Sequence, residues 1–138
     1  MIVICLACSG SSSSLPLPKA LEGPAGAIHV VFTAVDCDLN AHDFRLLGSI
    51  ASHSGYLLSG TMVMGLIAPG ELPRVVRDYR IAFPVTPDSV GDYGRVLNRL
   101  GTSGPVVMVL RKRSLVAMFV GLPTFEQFRL RSYANGIP

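Results

Sequence analysis

The chain has 138 residues, 49% of them apolar and 15% charged, with a net charge of +3 and a pI near 9.0. This composition suits one globular domain with one core and excludes a disordered chain. The positive charge sits mostly on scattered arginines; the one run, Arg111-Lys112-Arg113, reads as a solvated hairpin tip, and no basic stripe interleaves with aromatics, so no nucleic-acid partner is expected.

The first segment differs from the rest. Met1–Ala7 is apolar, Cys8 follows, and Ser9-Gly10-Ser11-Ser12-Ser13-Ser14 is a Ser/Gly tether that cannot build a core. Cys5-Leu6-Ala7-Cys8-Ser9 resembles a bacterial lipobox, in which a small residue precedes a cysteine that becomes lipidated. Cys5 stands where Leu is usual, and no basic n-region precedes the apolar part. Two readings stand side by side: a lipoprotein leader lipidated at Cys8, or an ordinary frayed terminus. The expected organisation is a leader and tether over residues 1–26 and a folded domain over 27–138. No segment is long and apolar enough to span a bilayer, so a lipid anchor at Cys8 is the one membrane link expected.

The domain opens on Ala27–Thr33 (AIHVVFT), a β-branched run that predicts a buried strand, followed by turn-like Val35-Asp36-Cys37-Asp38. From Leu39 to about His53, Leu39, Phe44, Leu47 and Ile50 mark one face of a helix, with Asp36 or Asp38 as N-cap. Ser54-Gly55 ends it. Thr61–Ala68 predicts a second buried strand, Glu71–Tyr79 a short helix, and Phe83-Pro84-Val85 a short extended piece. Val90–Leu100 predicts a third helix, stopped by Gly101. Pro105–Arg111 and Leu115–Gly121 predict a hairpin joined by Lys112-Arg113-Ser114. The last helix runs from Phe125 to about Tyr133, with Phe125, Phe128 and Leu130 packing inward and Asn135-Gly136 capping its end. The order β-α-β-α-β-β-α implies parallel, right-handed crossovers early and an antiparallel hairpin late. Strands apolar on both faces fit a mixed central sheet covered by helices on each side, a three-layer α/β/α sandwich.

Three stretches carry a resemblance to a known family. Phe32-Thr33-Ala34-Val35-Asp36-Cys37 has the spacing of a strand leading to W-C-x-x-C. Tyr79-Arg80-Ile81-Ala82-Phe83-Pro84-Val85 resembles a Y-x-I-x-F-P-V passage. Gly101-Thr102-Ser103-Gly104-Pro105-Val106-Val107 resembles a G-x-x-G-T-P-T segment. In this order and spacing, over roughly Ala27–Tyr133, the chain resembles the thioredoxin-like superfamily, in its TlpA-type thiol–disulfide oxidoreductase or redoxin branch. The resemblance implies a thioredoxin-like fold, a cis-proline at Pro105 and a location in the cell envelope, on the periplasmic side of a bacterial membrane; a cytoplasmic location is the alternative.

The departures bear on chemistry. Asn40 stands at the place of the resolving cysteine, Asp36 at that of the aromatic before the first cysteine, and Val31 at that of the strand acid. Gly104 precedes the proline instead of Thr or Val. A dithiol cycle needs one thiol to attack and another to resolve, and this domain has Cys37 alone, so dithiol activity is not expected. The peroxiredoxin pattern also fails, with Val30 and Ala34 at its Pro and Thr places. The candidate nucleophile is Cys37, with Asn40 at the vestigial second position and Asp36, Ser103, Gly104 and Pro105 as the binding face. A helix N-terminus would lower the thiol's pKa, whereas Asp36 and Asp38 beside it raise it. His42 reads as an exposed helix histidine. His29, His42 and His53 are dispersed and no zinc-ligand spacing exists, so no metal and no cofactor are expected. Two functions follow. Cys37 exchanges disulfides with a protein or small thiol, as a monothiol enzyme or in an antioxidant role, or the domain is redox-inactive and binds a protein partner through the Cys37/Pro105 face.

Overall fold

The computed structural model describes residues 2–4, 17, 23, 25–33, 40–65, 67–102 and 104–134, with backbone alone for 2–4 and 130–134. In chain order the elements are β1 (Ile2–Ile4), β2 (Gly26–Thr33), α1 (Ala41–Ser54), β3 (Tyr56–Val63), a 3-10 turn (Pro69–Glu71), α2 (Leu72–Asp78), β4 (Val85–Pro87), α3 (Asp92–Leu100), β5 (Val106–Arg111), β6 (Ser114–Val120) and α4 (Phe125–Ala134). The strands form one six-stranded sheet in the order β1-β6-β5-β2-β3-β4. β2, β3 and β4 run parallel; β5 is antiparallel to β2, β6 to β5, and β1 to β6.

Side-chain alternation along β2 divides the core in two. Ile28, Val30 and Phe32 face one side, where they meet Phe44, Leu47 and Ile50 of α1, Val75 of α2 and Phe128 of α4. Val31 faces the other side with Val106, Met108 and Met118, and Leu97 of α3 covers them. Helices therefore cover both faces of the sheet, as the sequence predicted. Phe44 anchors α1: its ring lies 5.2 Å from Phe32 and 6.0 Å from both Tyr79 and Phe83. Edge-on and tilted aromatic contacts of this kind add about 0.5–1.5 kcal/mol each beyond area burial.

Several expectations are corrected. The second strand of the domain is Tyr56–Val63, not Thr61–Ala68. β3 pairs with β2 over its whole length, from Gly26↔Tyr56 to Thr33↔Val63. Gly60 serves close approach: a Cβ there would lie 3.0 Å from the Phe83 ring and 3.2 Å from the Val30 carbonyl oxygen. The hairpin turn is two residues long, since Arg111 already pairs with Ser114. Lys112 and Arg113, at φ 50° and 62°, form the left-handed pair whose twist matches the flanking strands. Phe125 is 47% exposed rather than packed inward, while Phe128 is buried. The side chain of Leu130 and the cap at Asn135-Gly136 lie outside the described residues. Ile2–Ile4, read from sequence as part of a leader, add an antiparallel strand beside β6, with Ile2↔Val120 and Ile4↔Met118 in register. Cys8 and the serine tract lie outside the described residues. No cis peptide bond occurs among the described residues, so the Gly104–Pro105 bond is trans, the isomer an X–Pro bond adopts by default, and not cis as expected. No helix among the described residues is long and apolar enough to cross a membrane.

Candidate functional site

The sheet topology sets the site's position. Val31 of β2 pairs antiparallel with Val106 of β5, so Pro105 lies at the end of β2 from which the chain leaves toward Cys37. Asn40 then starts α1. Asn40, Gly104 and Pro105 are thus described; Asp36, Cys37, Asp38 and Ser103 lie outside the described residues.

Asn40 is the N-cap of α1, which corrects the expectation of Asp36 or Asp38. Its side-chain oxygen accepts from the backbone N–H of His42 at 2.8 Å and of Asp43 at 3.2 Å, and its own N–H donates to the Asp43 carboxylate at 3.0 Å. This reciprocal capping box satisfies helix N–H groups that would otherwise have no partner and contributes about 1 kcal/mol. The helix therefore begins after the vestigial second position, and Cys37 precedes the cap in sequence. His42 is exposed in the first turn, as read from the sequence.

On the proline side, the Gly104 N–H donates to the Thr102 hydroxyl at 3.0 Å, forming a local turn. Pro105 is buried, and its carbonyl accepts from the Gly121 N–H at 2.7 Å. That bond ties the loop to the end of β6 and fixes where β5 starts.

A second polar group escaped the sequence analysis. His29, in the middle of β2, is 4% exposed. Its Nδ1 is 2.7 Å from the Ser59 hydroxyl and its Nε2 is 2.8 Å from the Thr61 hydroxyl. A neutral imidazole has one donor and one acceptor nitrogen, and a hydroxyl can answer either. Both nitrogens are therefore satisfied without a charge. Burial pushes the His29 imidazole down to about 4, keeping it neutral near pH 7. The Tyr93 ring of α3 lies 5.7 Å away. Its phenol is pushed up to about 12, first by burial and then by Asp88 and Asp92. The signal for this group was the i, i+2 pair of hydroxyls in β3. It is readable only once the parallel register sets Ser59 beside His29. His53 is separate: its Nδ1 donates to the Ser49 carbonyl of its own helix at 2.8 Å.

No family profile matches the chain, and no curated protein matches its sequence. Solved structures do match its fold. StoA from Bacillus subtilis aligns with a TM-score of 0.55 at 14% identity, over 77% of this chain and 81% of that one. A Chlorobium tepidum protein assigned as the thiol:disulfide interchange protein DsbE aligns with a TM-score of 0.57 at 14% identity, over 84% of this chain and 91% of that one. A secreted Mycobacterium tuberculosis disulfide oxidoreductase homologous to Escherichia coli DsbE aligns with a TM-score of 0.54 at 15% identity, over 78% and 80%. The chain has the thioredoxin-like α/β fold that its sequence resembled, with a mixed sheet and helices on both faces.

Proposed function

We propose that this chain is a thioredoxin-fold monothiol protein that exchanges disulfides through Cys37. The observation that carries this reading is the capping box at Asn40: the place of a resolving thiol holds an amide committed to the backbone of α1. The fold likeness to thiol–disulfide oxidoreductases supports the type of chemistry. In the step, the Cys37 thiolate attacks one sulfur of a partner disulfide. A Cys37–partner disulfide forms, and the other sulfur leaves as a thiolate. An external thiolate, from glutathione or a protein, then attacks the partner sulfur of that bond and releases the Cys37 thiolate. The products are a free thiolate on one partner sulfur and a disulfide between the other partner sulfur and the external thiol, and Cys37 ends as it began. Asp36, Ser103, Gly104 and Pro105 would form the face that receives the partner. A cell-envelope location fits the secreted neighbour.

A second reading, a redox-inactive module that binds a partner through the same face, is favoured by the start of α1 at Ala41, four residues after Cys37 in sequence. Iodoacetamide alkylation of the full chain carrying Cys5→Ser and Cys8→Ser separates the two. The monothiol reading predicts that native Cys37 labels, at a rate that plateaus well below pH 8.5. A rate still climbing past pH 8.5, or labelling only after denaturation, would support the redox-inactive reading.

A further inference from the structure

An open groove of about 500 Å³ lies along the outer edge of β3, enclosed by α1 and the segment Arg80–Phe83. That volume falls in the range of ligand clefts. Its lining includes Phe44, Ala51, Tyr56, Leu58 and Phe83, all apolar or aromatic. Arg45 and Arg80 also line it, both exposed, and neither forms an ion pair among the described residues. No carboxylate lines the groove. An apolar cleft with two uncompensated guanidinium groups and no acid complements an anion with an apolar body.

The backbone narrows the class of ligand. Gly60 turns its N–H outward to the Pro84 carbonyl at 2.9 Å, and β4 pairs with β3 only from Gly60 onward. Backbone groups alternate along a strand, so Leu58, two residues earlier, turns its N–H and C=O to the same edge. No strand pairs with that edge beside Tyr56–Ser59 among the described residues. The groove thus combines an open strand edge, an apolar lining and positive charge.

We propose that this groove binds an extended peptide segment of a partner protein that carries acidic side chains, by adding a strand beside Leu58. Alternate side chains of the segment would enter the apolar lining, and its carboxylates would meet Arg45 and Arg80. The site is on the far side of β2 from Pro105, so it stands whether or not Cys37 is reactive.

The test is fluorescence anisotropy of the full chain with a labelled peptide of alternating Val and Glu. Three comparison ligands are used: the Val/Lys counterpart, the Val/Glu peptide with alternate backbone nitrogens methylated, and hexanoate as competitor. Binding of the Val/Glu peptide alone is expected. Arg45→Ala with Arg80→Asn should weaken it about tenfold or more, from the loss of charge-assisted hydrogen bonds. Asn is chosen because Arg80 sits at φ 52°, which Asn tolerates. Gly48→Leu should block binding without unfolding α1, since no atom lies within 4 Å of a Cβ there and Leu is the better helix former. No binding of the Val/Glu peptide, or equal binding of the Val/Lys peptide, would overturn the proposal. Equal binding of the methylated peptide, or full competition by hexanoate at peptide-like concentration, would overturn it in favour of a small-carboxylate site.

Discussion

Lowering the pH from 6.5 to 4 is expected to destabilise the fold by about 3 kcal/mol through His29 alone. The unfolded chain's imidazole titrates near 6.5, whereas in the folded chain it is held down to about 4 by burial. Between those values the unfolded state binds the extra proton and the folded state does not. Unfolding free energy therefore falls as pH falls through this window and levels off below about 4. The full contribution is present above 6.5. No neighbouring charge sets the shift, because the neighbours at His29 are the hydroxyls of Ser59 and Thr61 and the neutral ring of Tyr93. His29→Gln keeps a donor and an acceptor but does not titrate. Urea denaturation at steps from pH 7 to 4 should show a steep loss in the parent and a shallower one in the variant. Parallel curves would contradict the burial of a neutral imidazole.

The second large effect is at Gly26, the first residue of β2. Its φ is +145°, a region closed to L side chains, and a Cβ there would lie 2.3 Å from the Leu110 carbonyl oxygen. That oxygen cannot retreat freely. Leu110 pairs with Ala27, and β5 also holds β6 through an irregular register between Val109 and Leu110. Gly26→Ala must displace the central β2–β5 pairing, and about 3 kcal/mol or more of stability should be lost. Against a total of about 5–15 kcal/mol, that leaves a marginal fold. Gly65→Ala is the internal comparison: φ is +57° there, but nothing lies within 4 Å of a Cβ, so only the left-handed conformation is penalised, by about 1–2 kcal/mol. Equal losses in the two variants, measured by chemical denaturation, would contradict the close-approach argument.

The order of strands and helices was readable from sequence because β2, β5 and β6 are unbroken apolar runs and α1 carries one apolar face. Register was not. The strand was expected to start at Thr61 because the reasons for Ser59 and Gly60 to be in it come from other elements: His29 across the β2 pair and the Phe83 ring at the edge. The start of α1 was missed for a related cause. Aspartate and asparagine are both good N-caps, and Asp36, Asp38 and Asn40 all precede the helix. What decides among them is the return bond from Asp43, three residues beyond Asn40. Of the site itself, sequence placed Pro105 at the start of a strand, and the fold sets it one residue before β5, at the end of β2 from which the chain continues toward Cys37. The groove beside β3 was not legible, because Arg45 and Arg80 are far apart in sequence and line one groove only once Phe44 packs against Phe83.

The central claim is that one thiol works here without a resolving partner. The most direct measurement is the fate of the mixed disulfide formed when the native full chain carrying Cys5→Ser and Cys8→Ser meets glutathione disulfide, followed by intact-protein mass. The account predicts one glutathione per chain, attached at Cys37, stable after the excess is removed and released when an external thiol is added. A native chain that takes up no glutathione, while the denatured chain does, would contradict it.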